Sequence, residues 1–123
     1  MKVYIAHSSS YDFTGQLYEP IKQSNLYQRH EFFLPHDKNY RDGAGVHSKD
    51  IIRNSDILVA EVSYPTTGEG IEIGWADAFD VPIACVYREG TKPSGSLKYV
   101  SEKFATYTDS ASLIEALRGL LGE

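Results

Sequence analysis

Apolar positions along this chain gather into short, almost unbroken runs separated by amphipathic or polar stretches. Residues 2–6 (KVYIA), 31–35 (EFFLP), 57–62 (ILVAEV) and 82–87 (PIACVY) have strand length, and 104–107 (FATY) is a weaker fifth. Runs that are continuous rather than alternating predict strands covered on both faces. Between them the spacing becomes helical. Leu17, Ile21 and Leu26 predict a helix over about 14–25 that Pro20 must kink or interrupt. Residues 46–54 carry Val46, Asp50 and Arg53 along one face, with Ile51 and Ile52 toward a core. Residues 70–79 form a further helix, and a short helical turn lies near 96–101. Thr108 or Asp109 caps a last helix whose buried stripe is Leu113, Leu117, Leu120 and Leu121.

Strands that alternate with helices predict an α/β fold: a parallel sheet with helices on both faces, as one domain over residues 1–123. Five strands favour the flavodoxin-like (Rossmann-like) order 2-1-3-4-5, with its switch point between strands one and three. That topology brings the loop after Ala6 beside the loop after Val62 and makes Ser8, Thr66 and Glu72 neighbours. The polar segment 37–45 (DKNYRDGAG) reads as a loop that could cover a site.

Composition narrows the functional classes. A formal net charge of -5 argues against a nucleic-acid footprint, which needs a basic face, but permits one small anion held by hydroxyls and backbone donors. Cys85 is the only cysteine, so no internal disulfide forms. A reducing, cytoplasmic setting is the expectation, with Cys85 a buried, inert thiol. No run approaches the roughly 20 apolar residues of a membrane span, and no basic leader precedes an apolar stretch at the start of the sequence.

The stretch 56–74 (DILVAEVSYPTTGEGIEIG) holds the candidate chemistry. A strand gives way to a Pro/Thr/Gly turn and then to a carboxylate, Glu72, expected in the first turn of a helix, where the dipole favours its ionised form. The glycines at 68, 70 and 74 lack dinucleotide-fingerprint spacing and follow the third strand rather than the first. A tight turn and close helix–sheet packing at Gly74 explain them. His7, His30, His36 and His47 lack metal-ligand spacing, and no cofactor or metal is expected. Trp75 and Phe79 read as core or interface. Glu61 is equally open to a structural bond and to a site role. Asp50 and Glu72, with Tyr4 on the adjacent strand, form the minimal apparatus for breaking a glycosidic bond, although spacing alone leaves a surface ion pair open.

These segments carry a resemblance. VYIAHS at 3–8, KDIIRNSDILVAEV at 49–62, YPTTGEGIEIGWA at 64–76 and VPIACVY at 81–87 resemble the nucleoside 2-deoxyribosyltransferase superfamily, above all its 2′-deoxynucleoside 5′-phosphate N-hydrolase branch. The resemblance implies that Glu72 attacks C1′ of a deoxyribose, that Asp50 assists as acid/base at the departing base, and that Tyr4 holds Glu72 in line. The transferases carry an Asp six residues before the nucleophile; here 72 − 6 = 66 is Thr66, a hydroxyl suited to a phosphate. Ser8, His7, Thr66, Gly68 and Gly70 are the expected substrate-binding residues. Ser96 joins them from a neighbouring subunit, which implies at least a homodimer with a shared site. Two departures stand out. His7 replaces a common Gly, and Glu69 adds a carboxyl beside the phosphate loop.

The implied activity is hydrolysis of 2′-deoxynucleoside 5′-monophosphates to free base and 2-deoxyribose 5-phosphate. The alternatives are base exchange on deoxynucleosides, a non-catalytic nucleotide-binding module, and a glycohydrolase for another nucleotide.

Overall fold

A computed structural model describes residues 1–37 and 48–123. In chain order it contains β1 (Lys2–His7), a π-helical turn (Thr14–Tyr18) running into α1 (Glu19–Gln23), α2 (Leu26–Arg29), β2 (Glu31–Phe33) and α3 (Ser48–Arg53). β3 (Ile57–Glu61), α4 (Thr67–Ala78), β4 (Ile83–Arg88), a 3₁₀ turn (Gly95–Tyr99), β5 (Lys103–Tyr107) and α5 (Ser110–Leu120) follow. The five strands are all parallel, in the order β2-β1-β3-β4-β5. This is the α/β architecture and strand order that the apolar runs predict.

Strand alternation divides the core in two. Val3, Ile5, Ile57, Val59, Ala84 and Val86 point to the face covered by α1 and α5. Tyr4, Ala6, Leu58, Ala60, Ile83 and Cys85 point to the opposite face, with Ile52 of α3 and Ile73 and Ala76 of α4. The central strands are therefore apolar at successive positions. Tyr4 lies on the face that α4 covers, and Cys85 is a buried free thiol whose pKa burial pushes up to about 11.

Pro20 interrupts the first helix in a particular way. The preceding turn widens to π geometry, and Pro20 enters at the start of α1, where a missing N–H leaves no hydrogen bond unmade. Glu61 proves structural. Its carboxylate accepts from Ser63 N at 2.7 Å, from Ser63 Oγ at 2.8 Å and from the Tyr107 hydroxyl, tying the end of β3 to β5.

α5 opens with a capping box: Asp109 accepts from Ser112 N at 2.8 Å, and Ser112 Oγ accepts from Asp109 N at 3.0 Å. These bonds favour the ionised carboxyl and hold its pKa below the usual range. The cap contributes above the unfolded-state pKa and fades as pH falls through the folded one. Asp109→Ala is expected to lower the calorimetric unfolding temperature near neutral pH, and the gap from wild type should narrow in acid.

The proposed cover at 37–45 lies, apart from Asp37, outside the described residues, as do Val46 and His47 of the helix predicted over 46–54. Among the described residues no helix is long and apolar enough to cross a membrane.

Candidate active site

β1 lifts Tyr4 from the sheet into the underside of α4, where its hydroxyl donates to Glu72 Oε2 at 2.5 Å. Tyr4 is fully buried and Glu72 half-buried. Glu72, Gly68, Ile71 and Trp75 recur at three and four residues along α4 and so share a face. With Ser48, Lys49 and Asp50 of α3 they line a cleft of about 640 Å³. α3 and α4 are joined beside it by Lys49 Nζ over the Trp75 ring, at 5.9 Å, and by the Arg53 guanidinium over Phe79, at 4.5 Å. The Trp75 and Phe79 rings also pack on the α4-side core.

The helix begins earlier than its sequence pattern suggests. α4 starts at Thr67, so Glu72 is in the second turn and Glu69 in the first. The dipole argument for an ionised Glu72 therefore fails. Burial dominates and raises its carboxyl pKa above the ordinary value, while hydrogen bonds from Tyr4 and Ser48 pull part of the way back. Burial likewise raises the Tyr4 phenol, with the adjacent Glu72 charge adding to it. Tyr4 is thus a proton donor that keeps its proton. No spacing rule joins Ser48 to Glu72; only the packing of α3 on α4 does, and the sequence reading missed it.

Asp50 reaches the same cleft as Glu72 from α3. It is mostly exposed and lies 3.7 Å from Arg53.

A second cleft, of about 530 Å³, opens on the other side of α4. Thr66 and Gly70 line it together with Ser94 and Ser96 of the β4–β5 connection. Thr66 is the N-cap of α4 but makes no side-chain cap bond, so its hydroxyl is not spent on the helix. Ser96 meets Thr66 here within one chain. Gly68 belongs to the Glu72 cleft and Gly70 to this one.

The glycines do not serve tight packing. A side chain added at Gly68, Gly70 or Gly74 would meet nothing within 4 Å, and none of the three has a positive φ. Each costs helix stability of about 1 kcal/mol relative to Ala and leaves open space along α4.

His7 does not fit the expected ligand role. It is buried, its Nδ1 donates to the Ser8 carbonyl at 2.8 Å, and its Nε2 accepts from the Tyr18 hydroxyl at 2.6 Å. Phe13, Tyr18 and His36 surround the ring. Burial drives its pKa down to about 4. The imidazole is neutral near pH 7, and both nitrogens are engaged. Ser8 is also buried, with its Oγ 2.6 Å from Ser10 Oγ and accepting from Ser10 N.

Glu69 is another surprise. It reads in the sequence as a carboxyl added beside the phosphate loop; in the fold it is 4% exposed. Its pKa rises to about 9, chiefly by desolvation and then by the charges of Glu61 and Glu72.

Known proteins resemble this chain in sequence and in fold. No family model matches the chain. Over 92 residues it is 33% identical to a protein named as a candidate 2′-deoxynucleoside 5′-phosphate N-hydrolase 1 from Syntrophotalea carbinolica; the match covers 71% of this chain and 65% of that one. The match thus spans less than two thirds of that relative's length. The fold matches CMP N-glycosidase BcmB of Clostridium botulinum with a TM-score of 0.68, at 20% identity over 95% of this chain and 98% of that one. It also matches a 2-deoxyribosyltransferase of Bacillus psychrosaccharolyticus with a TM-score of 0.63, at 18% identity over 92% and 90% of the two chains. The chain is thus similar in sequence to a 2′-deoxynucleoside 5′-phosphate N-hydrolase over part of that protein's length, and similar in fold to an N-glycosidase and a 2-deoxyribosyltransferase.

Of the residues that superfamily resemblance singles out, the fold brings Glu72, Asp50 and Gly68 to one cleft, with Tyr4 bonded to Glu72 from the core, and Thr66, Gly70 and Ser96 to another. α4 is the shared wall. Sequence neighbours such as Gly68 and Gly70 face opposite ways because successive helical residues turn by about 100°.

Proposed function

We propose that this protein is an N-glycosidase that hydrolyses 2′-deoxynucleoside 5′-monophosphates to free base and 2-deoxyribose 5-phosphate. The observation that carries this reading is the Tyr4–Glu72 hydrogen bond of 2.5 Å, which fixes the carboxyl at the cleft that Asp50 also lines. A carboxylate held in place loses little entropy on reaching its attack geometry. The carboxylate oxygen of Glu72 forms a bond to C1′ as the C1′–N bond breaks. The electron pair of that bond leaves with the base, which takes a proton from Asp50. Water then attacks C1′, its proton returns to Asp50, and Glu72 is released as carboxylate. A deoxyribose has no 2′-hydroxyl to withdraw electrons from the cationic sugar carbon. One well-placed negative charge therefore does much of the stabilisation.

The phosphate preference is supported by Thr66, whose hydroxyl is uncommitted at the head of α4, and by the hydroxyls of Ser94 and Ser96 in the same cleft. The first-turn N–H groups of α4 add the positive end of a twelve-residue helix. Because Ser96 lines this cleft beside Thr66 in a single chain, its action across a homodimer interface is part of the proposal rather than a condition of the cleft's shape.

The reading is tested by incubating the protein with matched deoxynucleoside monophosphates and deoxynucleosides, with and without a second free base, and separating the products. Free base and deoxyribose 5-phosphate support it. A new nucleoside formed from the added base would replace it with the transferase reading. Thr66→Asp should lower kcat/KM for the monophosphate by about 10²-fold, since a second anion faces the phosphate, and spare the unphosphorylated nucleoside. Equal losses on both substrates would move the phosphate elsewhere.

A further inference from the structure

Glu69 is the one carboxyl in the head of α4 that the proposed chemistry leaves unused. Its side chain is buried, yet it lines the cleft formed by Thr66, Thr67, Ser94 and Ser96. Its Oε2 has no hydrogen-bond partner among the described residues, and neither has the hydroxyl of Tyr11 in the loop after β1. Among the described residues no Lys, Arg or His lines this cleft. A buried carboxylate without a cation is costly, and the group avoids the cost by keeping its proton.

The groups that act on it all push the same way. Glu61 on β3 and Glu72 on α4 raise its pKa, and its charge in turn raises Tyr11 and Cys85 on β4. Tyr107 on β5 donates to Glu61 and not to Glu69. A protonated carboxylic acid is itself a donor, unlike a carboxylate. The departure that reads in the sequence as an added negative charge is, in the fold, an O–H beside the first-turn amides of α4.

We propose that Glu69, as an uncharged acid, donates a hydrogen bond to the 5′-phosphate of the nucleotide, so that phosphate binding depends on the Glu69 proton and weakens in alkali. The inference rests on the phosphate placement of the proposed function. The dianion next to Glu69 holds that proton more tightly in the complex than in the free protein. Binding is therefore favoured below the free-state pKa of about 9 and lost as pH rises through it. The unphosphorylated nucleoside brings no anion to Glu69 and should show no such loss.

The test is calorimetric titration of the full chain with 2-deoxyribose 5-phosphate between about pH 8 and about pH 10, a window in which the phosphate stays a dianion. Wild-type affinity should fall about tenfold across it, while Glu69→Gln, which keeps an N–H donor that does not titrate, should bind with little change. Glu69→Leu, lacking a donor, should bind weakly throughout; circular dichroism checks that each variant is folded. The inference is overturned if wild type shows no alkaline loss, if Glu69→Gln loses affinity as wild type does, or if the sugar phosphate does not bind. Because the readout is binding, it separates from the function: base release that requires Glu72, together with a flat titration, removes only the Glu69 inference.

Discussion

Glu72→Gln is expected to abolish base release, lowering kcat on a deoxynucleoside monophosphate by at least about 10³-fold. The amide keeps the shape of the carboxyl and an oxygen that accepts from Tyr4, so the fold and the cleft persist. What disappears is the anionic oxygen that would bond to C1′. Glu72 is half-buried and its pKa is raised by desolvation, so the acid form is the better tolerated one in the folded state. The sign is opposite to that of a salt-bridged carboxylate: its contribution to stability is present below the unfolded-state pKa and is lost as pH rises through the folded one. Glu72→Gln should therefore unfold at a temperature no lower than wild type near neutral pH. Base release at the wild-type rate from this variant, followed by chromatography, would remove Glu72 from the chemistry.

The second large effect is expected from Tyr4→Phe, a loss of about 10- to 10²-fold in kcat near neutral pH with a distinctive pH dependence. Burial raises the Glu72 pKa and the Tyr4 hydroxyl opposes that rise. Removing the hydroxyl lets the pKa climb further. Attack requires the ionised carboxylate, so the acid limb of the kcat profile should move to higher pH, and the deficit should shrink as the solution becomes more alkaline. Ser48 donates to the same carboxyl, so Ser48→Ala should shift the limb in the same direction. A purely structural role for Tyr4 would lower kcat equally at every pH.

Much of this architecture is written in local pattern. Four apolar runs and a weaker fifth become β1 to β5, and the leucine stripe with its Asp109 cap becomes α5. Both depend on burial and periodicity, which neighbouring residues fix. The start of α4 was not readable in this way. Three glycines depress helix propensity over residues 68–74, and a Pro/Thr approach hides the cap, yet the chain turns helical at Thr67 because the α4 face carrying Ile73 and Ala76 packs on the sheet. That shift of three residues moved Glu72 out of the dipole's reach and put Glu69 into it.

By itself the sequence determined the sheet, its strand order and the stretch in which the carboxylates lie, because apolar runs and turn residues act over a few positions. Only the tertiary structure decided the charge states and the company of those groups. His7 became a neutral, doubly bonded core ring, Glu69 an acid that keeps its proton, and Ser48 a partner of Glu72. Desolvation and hydrogen bonding between segments distant in the chain set these outcomes, and neither leaves a mark in the order of residues.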